Sequence, residues 1–414
     1  MELLKNHHPF NCVVLKKSYS DFSIHNMSIL PANRINQVEE YYFSIKLKEI
    51  DQMRRNGHHV LNLGIGNPDM PPAPTVLDAL HQAALQDNNH GYQSYVGIPE
   101  LREAFSSWYK TYFEVDLNPA NEILPLMGSK EGVMHISMAF LNPGDEVLLP
   151  DPGYPTYLSV CNLVGAKPRT FALEPDNNWM PDLEGLEKED LSKVKMMWVN
   201  YPNMPTGAKA SLDLFKRLVD FGKRHQIIIC NDNPYSFILN NEYLSILQVE
   251  GAKDICIELN SLSKSHNMAG WRVGMVASNP EFIQYILRVK SNMDSGMFRP
   301  LQMAAVEALK LPASWYDEVN TEYTKRRVIV FEIMDLLGCV YDKNQVGMFV
   351  WAKIPATFES ARLLSDKILH EANVFLTPGY IFGERWDNHM RISLCTNLDD
   401  LQEAKSRIEK VIKK

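Results

Sequence analysis

Short apolar runs alternate along this chain with longer stretches in which apolar residues recur at helical spacing. Ile123–Met127, Glu146–Leu149, Met196–Val199, Ile227–Cys230, Ile255–Leu259 and Val273–Ala277 have strand length and little polar alternation. Such runs predict strands covered on both faces, as in a parallel sheet. Between them, Gly128-Ser-Lys-Glu opens a helix running to about Phe140, and Leu212–Phe221 and Glu281–Lys290 carry helical spacing. Asn142-Pro-Gly-Asp145 reads as a turn. The alternation predicts an α/β fold: a large domain with a mainly parallel mixed sheet sandwiched by helices.

After about Pro312 the pattern changes. A long helix over Trp315–Leu337 precedes Gly347–Lys353, a helix over Phe358–Ala372, strands at Val374–Thr377 and Arg391–Leu394, and a helix from Asp399. This predicts a smaller α+β domain. The expected divisions are 1–27, an N-terminal extension; 28–60, a segment with a helix near Val38–Arg55 that packs with the small domain; 61–310, the large domain; and 311–414, the small domain. Organised sequence starts at Met27-Ser28-Ile-Leu-Pro, so the first 26 residues read as a poorly ordered extension from an upstream start codon.

The 414 residues are 45% hydrophobic and 22% charged, which is globular composition and enough for two cores. A net charge of −8 without a basic block argues against nucleic acid or an anionic membrane as partner. No apolar run reaches the roughly 18 residues of a membrane span, and no signal-peptide pattern precedes Met27. The six cysteines are scattered, with no Cys-x-x-Cys pair. That pattern suits buried free thiols in a reducing cytoplasm and does not support a zinc site.

The stretch from Asn260 to Gly274 holds Ser261, Ser263, Lys264 and Arg272 in a frame of Gly270 and Gly274. An amine, hydroxyls and a guanidinium suit a cofactor that carries an aldehyde and a phosphate. Lys264 can form a Schiff base while Ser261 and Arg272 hold the phosphate. Partial burial near cations would lower the amine's pKa, as a nucleophile and base requires. Alone, the stretch also fits a solvated Ser/Lys loop.

Asp232 ends a strand in Asn231-Asp-Asn-Pro-Tyr235. A carboxylate there can keep a pyridine nitrogen protonated, making the ring an electron sink, and Tyr235 can reach a ring hydroxyl. By itself the segment reads as an Asx-Pro turn. Gly128-Ser129-Lys130 offers backbone N–H groups to an anion at a helix N-terminus; a capped turn fits as well. Asp151-Pro-Gly-Tyr-Pro-Thr-Tyr157 places Tyr154 to stack on a flat ring, with Tyr157 as a core residue. Arg391 can hold a carboxylate bidentately, although a surface salt bridge is the plainer reading until the other sites agree.

Together these segments resemble the class I/II aminotransferases, the fold-type-I enzymes dependent on pyridoxal 5′-phosphate (PLP), from about residue 30 to the C-terminus. Leu63-Gly-Ile-Gly-Asn-Pro-Asp69, containing Gly66, resembles the segment bordering the substrate carboxylate. Tyr92-Gln-Ser-Tyr-Val-Gly-Ile-Pro-Glu-Leu-Arg102 resembles the region whose first tyrosine reaches the phosphate in the partner subunit. Gly128-Ser129-Lys130, Tyr154, Asp232 with Tyr235, Ser261 with Ser263, Lys264, Arg272 and Arg391 follow in family order, and Pro378-Gly379 with Phe382-Gly383 resembles a further motif.

The resemblance implies PLP, a homodimer with both sites at the interface, and closure of the small domain over substrate. It also implies ping-pong transfer of the amino group of an L-α-amino acid to a 2-oxo acid. Lys264 would be Schiff-base lysine and proton shuttle, with Asp232 and Tyr235 as its catalytic companions. Pro31-Ala-Asn-Arg-Ile-Asn and Lys290-Ser-Asn-Met-Asp-Ser-Gly296 resemble the branch of LL-diaminopimelate, N-acetyl-diaminopimelate and aspartate or methionine aminotransferases. Tyr41, Tyr42, Ile65 and Arg299 are candidates for the substrate side-chain pocket.

One departure stands out. Asn200-Tyr-Pro-Asn-Met-Pro-Thr-Gly207 places Met204 where the family has an asparagine on the ring hydroxyl. A thioether cannot donate; Asn203, one place earlier, either compensates as a cofactor contact or points elsewhere, and without that donor Tyr235 is the main support of that oxygen. Asn233, where a glutamate often follows the aspartate, is a lesser difference. Two other PLP readings compete: a C–S β-lyase, and a PLP-binding protein without turnover. The ligand domain of a transcription regulator is disfavoured, because the segment before residue 30 is too short and too weakly basic for a DNA-binding module.

Overall fold

The computed structural model describes residues 29–38 and 40–413. The expected N-terminal extension and the start at Met27 lie outside the described residues. Seven strands form the main sheet: Ile123–Leu126 (β1), Glu146–Asp151 (β2), Lys167–Ala172 (β3), Val194–Val199 (β4), Ile228–Asp232 (β5), Cys256–Ser261 (β6) and Gly274–Ala277 (β7). Their order is β1-β7-β6-β5-β4-β2-β3. β7 runs antiparallel to both neighbours, and every other pairing is parallel. This is the expected α/β architecture with a mixed, mainly parallel sheet.

Burial explains which strands the pattern reveals. β1, β6 and β7 bury every residue, so they read as continuous apolar runs. β3 is not predicted. It is an edge strand whose Lys167 and Pro168 are exposed, a place where proline and polar residues are tolerated. Adjacent residues alternate between two cores: Met197 and Ile229 join one, Trp198 and Cys230 the other. The same alternation turns Asn231 and Asp232 to opposite faces of β5.

A smaller antiparallel sheet holds Phe349–Lys353 (β8), Thr377–Pro378 (β9) and His389–Ser393 (β10), in the order β9-β10-β8. Around it, Ile329, Leu364 and Ile408 share a core with Phe43, Ile50, Val60 and Leu61 from the N-terminal segment. The expected strand Val374–Thr377 is divided, because Val374–Phe375 pairs with Leu61–Asn62 and Thr377–Pro378 pairs with β10. The N-terminal helix is Tyr42–Arg55 (α1), and Asn33–Gln37 is a separate 3-10 turn. The helix expected from Phe358 begins at Ala361, because Ser360 caps it by accepting from the Leu363 N–H.

The fold brings the candidate residues to one edge. Asp232 ends β5, Ser261 ends β6, Asp151 ends β2, and Ser129 opens the helix Ser129–Phe140 (α2) just after β1. These are carboxyl ends of parallel strands, where ligands bind in open α/β sheets. The five described cysteines are buried and unpaired, while Cys12 lies outside the described residues. No described helix is long and apolar enough to cross a membrane.

Candidate active site

A cavity of about 780 Å³ lies between the carboxyl edge of the main sheet and the small sheet. Gly66, Ser129, Lys130, Tyr154, Asp232, Tyr235, Ser261, Ser263, Lys264, Arg272 and Arg391 all line it. Residues spread over more than three hundred positions of sequence therefore meet in one place.

Asp232 is buried, and its Oδ2 accepts a 2.9 Å hydrogen bond from the Tyr157 hydroxyl. Its Oδ1 is buried with no hydrogen-bond partner among the described residues. Burial raises its pKa to about 6; the Tyr157 bond opposes that rise and the charge of Glu258 adds to it. Tyr157 stacks on Trp198 with ring centroids 5.0 Å apart. It is a core residue, as read, but it also fixes the carboxylate. It meets the Tyr154 ring edge-on at 5.5 Å between centroids, and its place three residues after Tyr154 is the signal that points to it.

The anion-binding side is built from short-range geometry. The Ser261 hydroxyl accepts from the Ser263 N–H at 3.1 Å and donates to the Ser263 hydroxyl at 2.7 Å. Arg272 adopts a left-handed backbone with φ of 59°. Its Nη1 donates to the Ala269 carbonyl at 2.9 Å and lies 3.5 Å from the Ser263 hydroxyl. Lys130 has its Nζ 4.6 Å from the centre of the Tyr41 ring, and burial, then Arg272, holds its pKa below the ordinary lysine value.

Gly128 does not itself line the cavity. It has φ of +87°, and a Cβ there would sit 2.1 Å from Arg272 Nη2. Its role is to leave room for that guanidinium. Gly128→Ala is expected to raise the dissociation constant of PLP for the apoprotein at least about tenfold, the equivalent of about 1.4 kcal/mol. Spectroscopic titration checks this; an unchanged constant would remove the steric argument.

Lys264 Nζ donates to the Gly66 carbonyl at 2.5 Å. Its pKa is depressed by burial first; Cys395 opposes, while Arg391 and Arg272 add to the depression. Tyr235 is buried, and burial lifts its phenol above the usual range. Arg391 is 4% exposed. Its Nη2 donates to the Gly64 carbonyl at 2.7 Å and its Nη1 lies 3.3 Å from Met204 Sδ, while Nε is buried without a partner among the described residues. The guanidinium lies 3.9 Å from the ring centre of Phe349 and 4.6 Å from that of Phe382. Burial lowers its pKa to about 10, which still leaves a full cation near neutrality.

Asn203 is the correction. Its Nδ2 donates to the Asn200 carbonyl at 3.2 Å, and its Oδ1 accepts from the Thr206 N–H and hydroxyl at 3.3 and 2.7 Å. The turn engages the amide oxygen and one N–H, and Asn203 is not among the residues that line the cavity. Met204 and Asn200 line the cavity instead. Asn200 Oδ1 accepts from the Met204 N–H at 2.8 Å, and its Nδ2 donates to the Asp232 carbonyl.

Tyr92 is 93% exposed and outside its own cavity. Tyr41 and Ile65 line the cavity; Tyr42 packs on Tyr380 and Arg299 faces Glu100. Ser44, Leu47, Lys48 and Asp51 also line it, and they were not expected. They form one face of α1, a face that helical spacing places together.

The donor set fits PLP. It offers a cationic and hydroxyl-lined cradle for a phosphate, a buried carboxylate oxygen awaiting a donor, and an amine of depressed pKa for an aldehyde. A family model for aminotransferases of class I and II matches residues 58–408. An LL-diaminopimelate aminotransferase of Aquifex aeolicus is 40% identical over 380 residues, 91% of this chain and 98% of that one. Another from Natranaerobius thermophilus is 39% identical over 379 residues, again 91% and 98% of the two chains. The apo structure of BacF from Bacillus subtilis matches with a TM-score of 0.88 at 36% identity, covering 93% of this chain and 98% of its own. These relatives favour transamination over the β-lyase and non-turnover readings. The chain belongs to the class I and II aminotransferases, PLP-dependent enzymes that pass an amino group from an amino acid to a 2-oxo acid.

Proposed function

We propose that the amino donor is an L-α-amino acid whose far end is itself an amino acid, LL-diaminopimelate being the model compound. The observation that carries this reading is the α1 face. Lys48 and Asp51 offer a cation and a carboxylate to the cavity that also holds Arg391. A distal carboxylate and ammonium match that pair, and the two relatives above carry the name of this donor. Lys48 now pairs with Glu40, and Asp51 lies 3.8 Å from Arg54. Both pairs are exposed, so exchanging them for substrate costs little.

PLP, when bound, supplies an aldehyde that exchanges amines and a ring that draws electrons from the substrate Cα. Ser129, Lys130, Ser261, Ser263 and Arg272 would hold its phosphate, Tyr154 would stack on its ring, and Tyr235 would meet its hydroxyl. Asp232 Oδ1 would hold the proton on its nitrogen. Arg391 binds the substrate α-carboxylate, with Gly66 beside it. Lys264 Nζ, whose charged form burial disfavours, takes the Cα proton once free and redelivers it. Closure of the small domain excludes water from these transfers.

The same reading makes the enzyme a homodimer in which Tyr92 reaches the partner's phosphate. The exposure of Tyr92, together with that of Met293 at 58% and Phe298 at 45%, supports a covered surface there. Buried free thiols support a cytoplasmic setting. A donor screen with 2-oxoglutarate as acceptor tests the substrate. LL-diaminopimelate is expected to exceed L-aspartate, L-phenylalanine and L-methionine in kcat/KM by at least about tenfold. Preference for any of those three would overturn the α1 reading.

A further inference from the structure

We infer that Met204 is a positioning residue that sets the affinity of Arg391 for carboxylates; this rests on the reading of Arg391 as the α-carboxylate site. Arg391 offers five N–H donors, yet its side chain meets one carbonyl, one thioether and aromatic faces. Gly64 O satisfies Nη2 at 2.7 Å. Met204 Sδ, at 3.3 Å from Nη1, is a weak acceptor and no donor. The sulfur therefore steadies the guanidinium without neutralising it.

The placement of that sulfur is not accidental packing. Met204 is 5% exposed, and its backbone N–H is held by Asn200 Oδ1 at 2.8 Å. The same Asn200 donates through Nδ2 to the Asp232 carbonyl. One asparagine thus ties the residue beside Arg391 to the strand end that carries Asp232. Asn203, held within the turn by its amide oxygen and one N–H, does not line the cavity. A stronger acceptor at position 204 would compete with substrate for Nη1, and a purely aliphatic one would no longer hold Nη1 in one orientation.

The test uses heptanedioate, a dicarboxylate without amino groups, titrated calorimetrically into apoprotein, alongside steady-state kinetics of the loaded enzyme. Met204→Leu keeps the volume and removes the sulfur. Because the ligand must then order the guanidinium itself, it is expected to raise the heptanedioate dissociation constant about three- to fivefold, and KM for donor and acceptor alike, with kcat within about twofold. Met204→Glu places a carboxylate beside the guanidinium and is expected to weaken heptanedioate at least about a hundredfold while PLP still binds. The inference is overturned if Met204→Leu lowers kcat and leaves the heptanedioate constant unchanged, or if Met204→Glu leaves it within about twofold. Arg391→Ala separates the two claims. Undiminished heptanedioate binding there sinks the carboxylate-site reading itself, whereas a loss there with unaffected Met204 variants sinks only the role of Met204.

Discussion

Lys264→Ala is expected to transaminate at least about 10⁴-fold more slowly than the native enzyme, the largest loss any single substitution here should cause. The amine is needed twice, first to hold the aldehyde and then to move a proton at Cα. Burial disfavours its charged form, with Arg391 and Arg272 adding to the effect, so a neutral base is available nearer physiological pH than a solvated lysine would allow. Among the described residues, the cavity's other two lysines are placed elsewhere: Lys130 lies over Tyr41 on the anion-binding side, and Lys48 pairs with Glu40 on α1. The cradle of Ser261, Ser263 and Arg272 is untouched by the substitution, so PLP should still bind through its phosphate. The visible absorbance of the native complex should be lost, and borohydride should label residue 264 in the native protein and nothing in the variant. Native protein that stays unlabelled at 264, or a variant with more than about one hundredth of native kcat, defeats the assignment.

Much of this site is legible in the sequence because its chemistry sits on local segments. Ser261, Ser263, Lys264 and Arg272 lie within a dozen residues that one strand, one helical turn and one left-handed residue fold onto each other. Asp232 is readable only in combination, because Asn231-Asp-Asn-Pro-Tyr235 by itself reads as an Asx-Pro turn and its role comes from the other segments in order. What stayed hidden depends on contacts that no local pattern encodes. Whether Asn203 or Met204 faces the cavity is decided by hydrogen bonds among Asn200, Asn203 and Thr206 inside one turn. Lys48 and Asp51 look like ordinary solvated helix residues until α1 is laid across the cavity mouth. Edge strand β3 lacks an apolar run because one side of it is open, and Tyr157 reads only as core because its hydroxyl partner is 75 residues away.

Asp232→Asn is expected to reduce kcat about 10³-fold and yet to stabilise the apoprotein near neutral pH. The activity loss follows from removing the charge that holds a proton on the ring nitrogen, a preorganised electrostatic effect. The stability gain follows from linkage. The carboxyl has a pKa of about 6 in the folded protein, against the ordinary 3.8. Folding therefore favours the protonated form. The favourable contribution is complete below about pH 4 and is lost as pH rises through about 6, an upper bound of about 3 kcal/mol for a gap of roughly two units. An asparagine never carries that charge, but its amide N–H₂ at the Oδ1 position lacks a partner, which returns about 1–2 kcal/mol. The variant apoprotein should thus be more stable than the native one by about 1 kcal/mol at pH 7.5, with the advantage gone or reversed at pH 4. Urea unfolding of both apoproteins at the two pH values measures this. A variant less stable than native at pH 7.5 would show that Oδ1 is not an isolated buried charge. An active site that holds a carboxylate at a cost to its own stability, released only when a protonated base arrives, is what a binding site for that base requires.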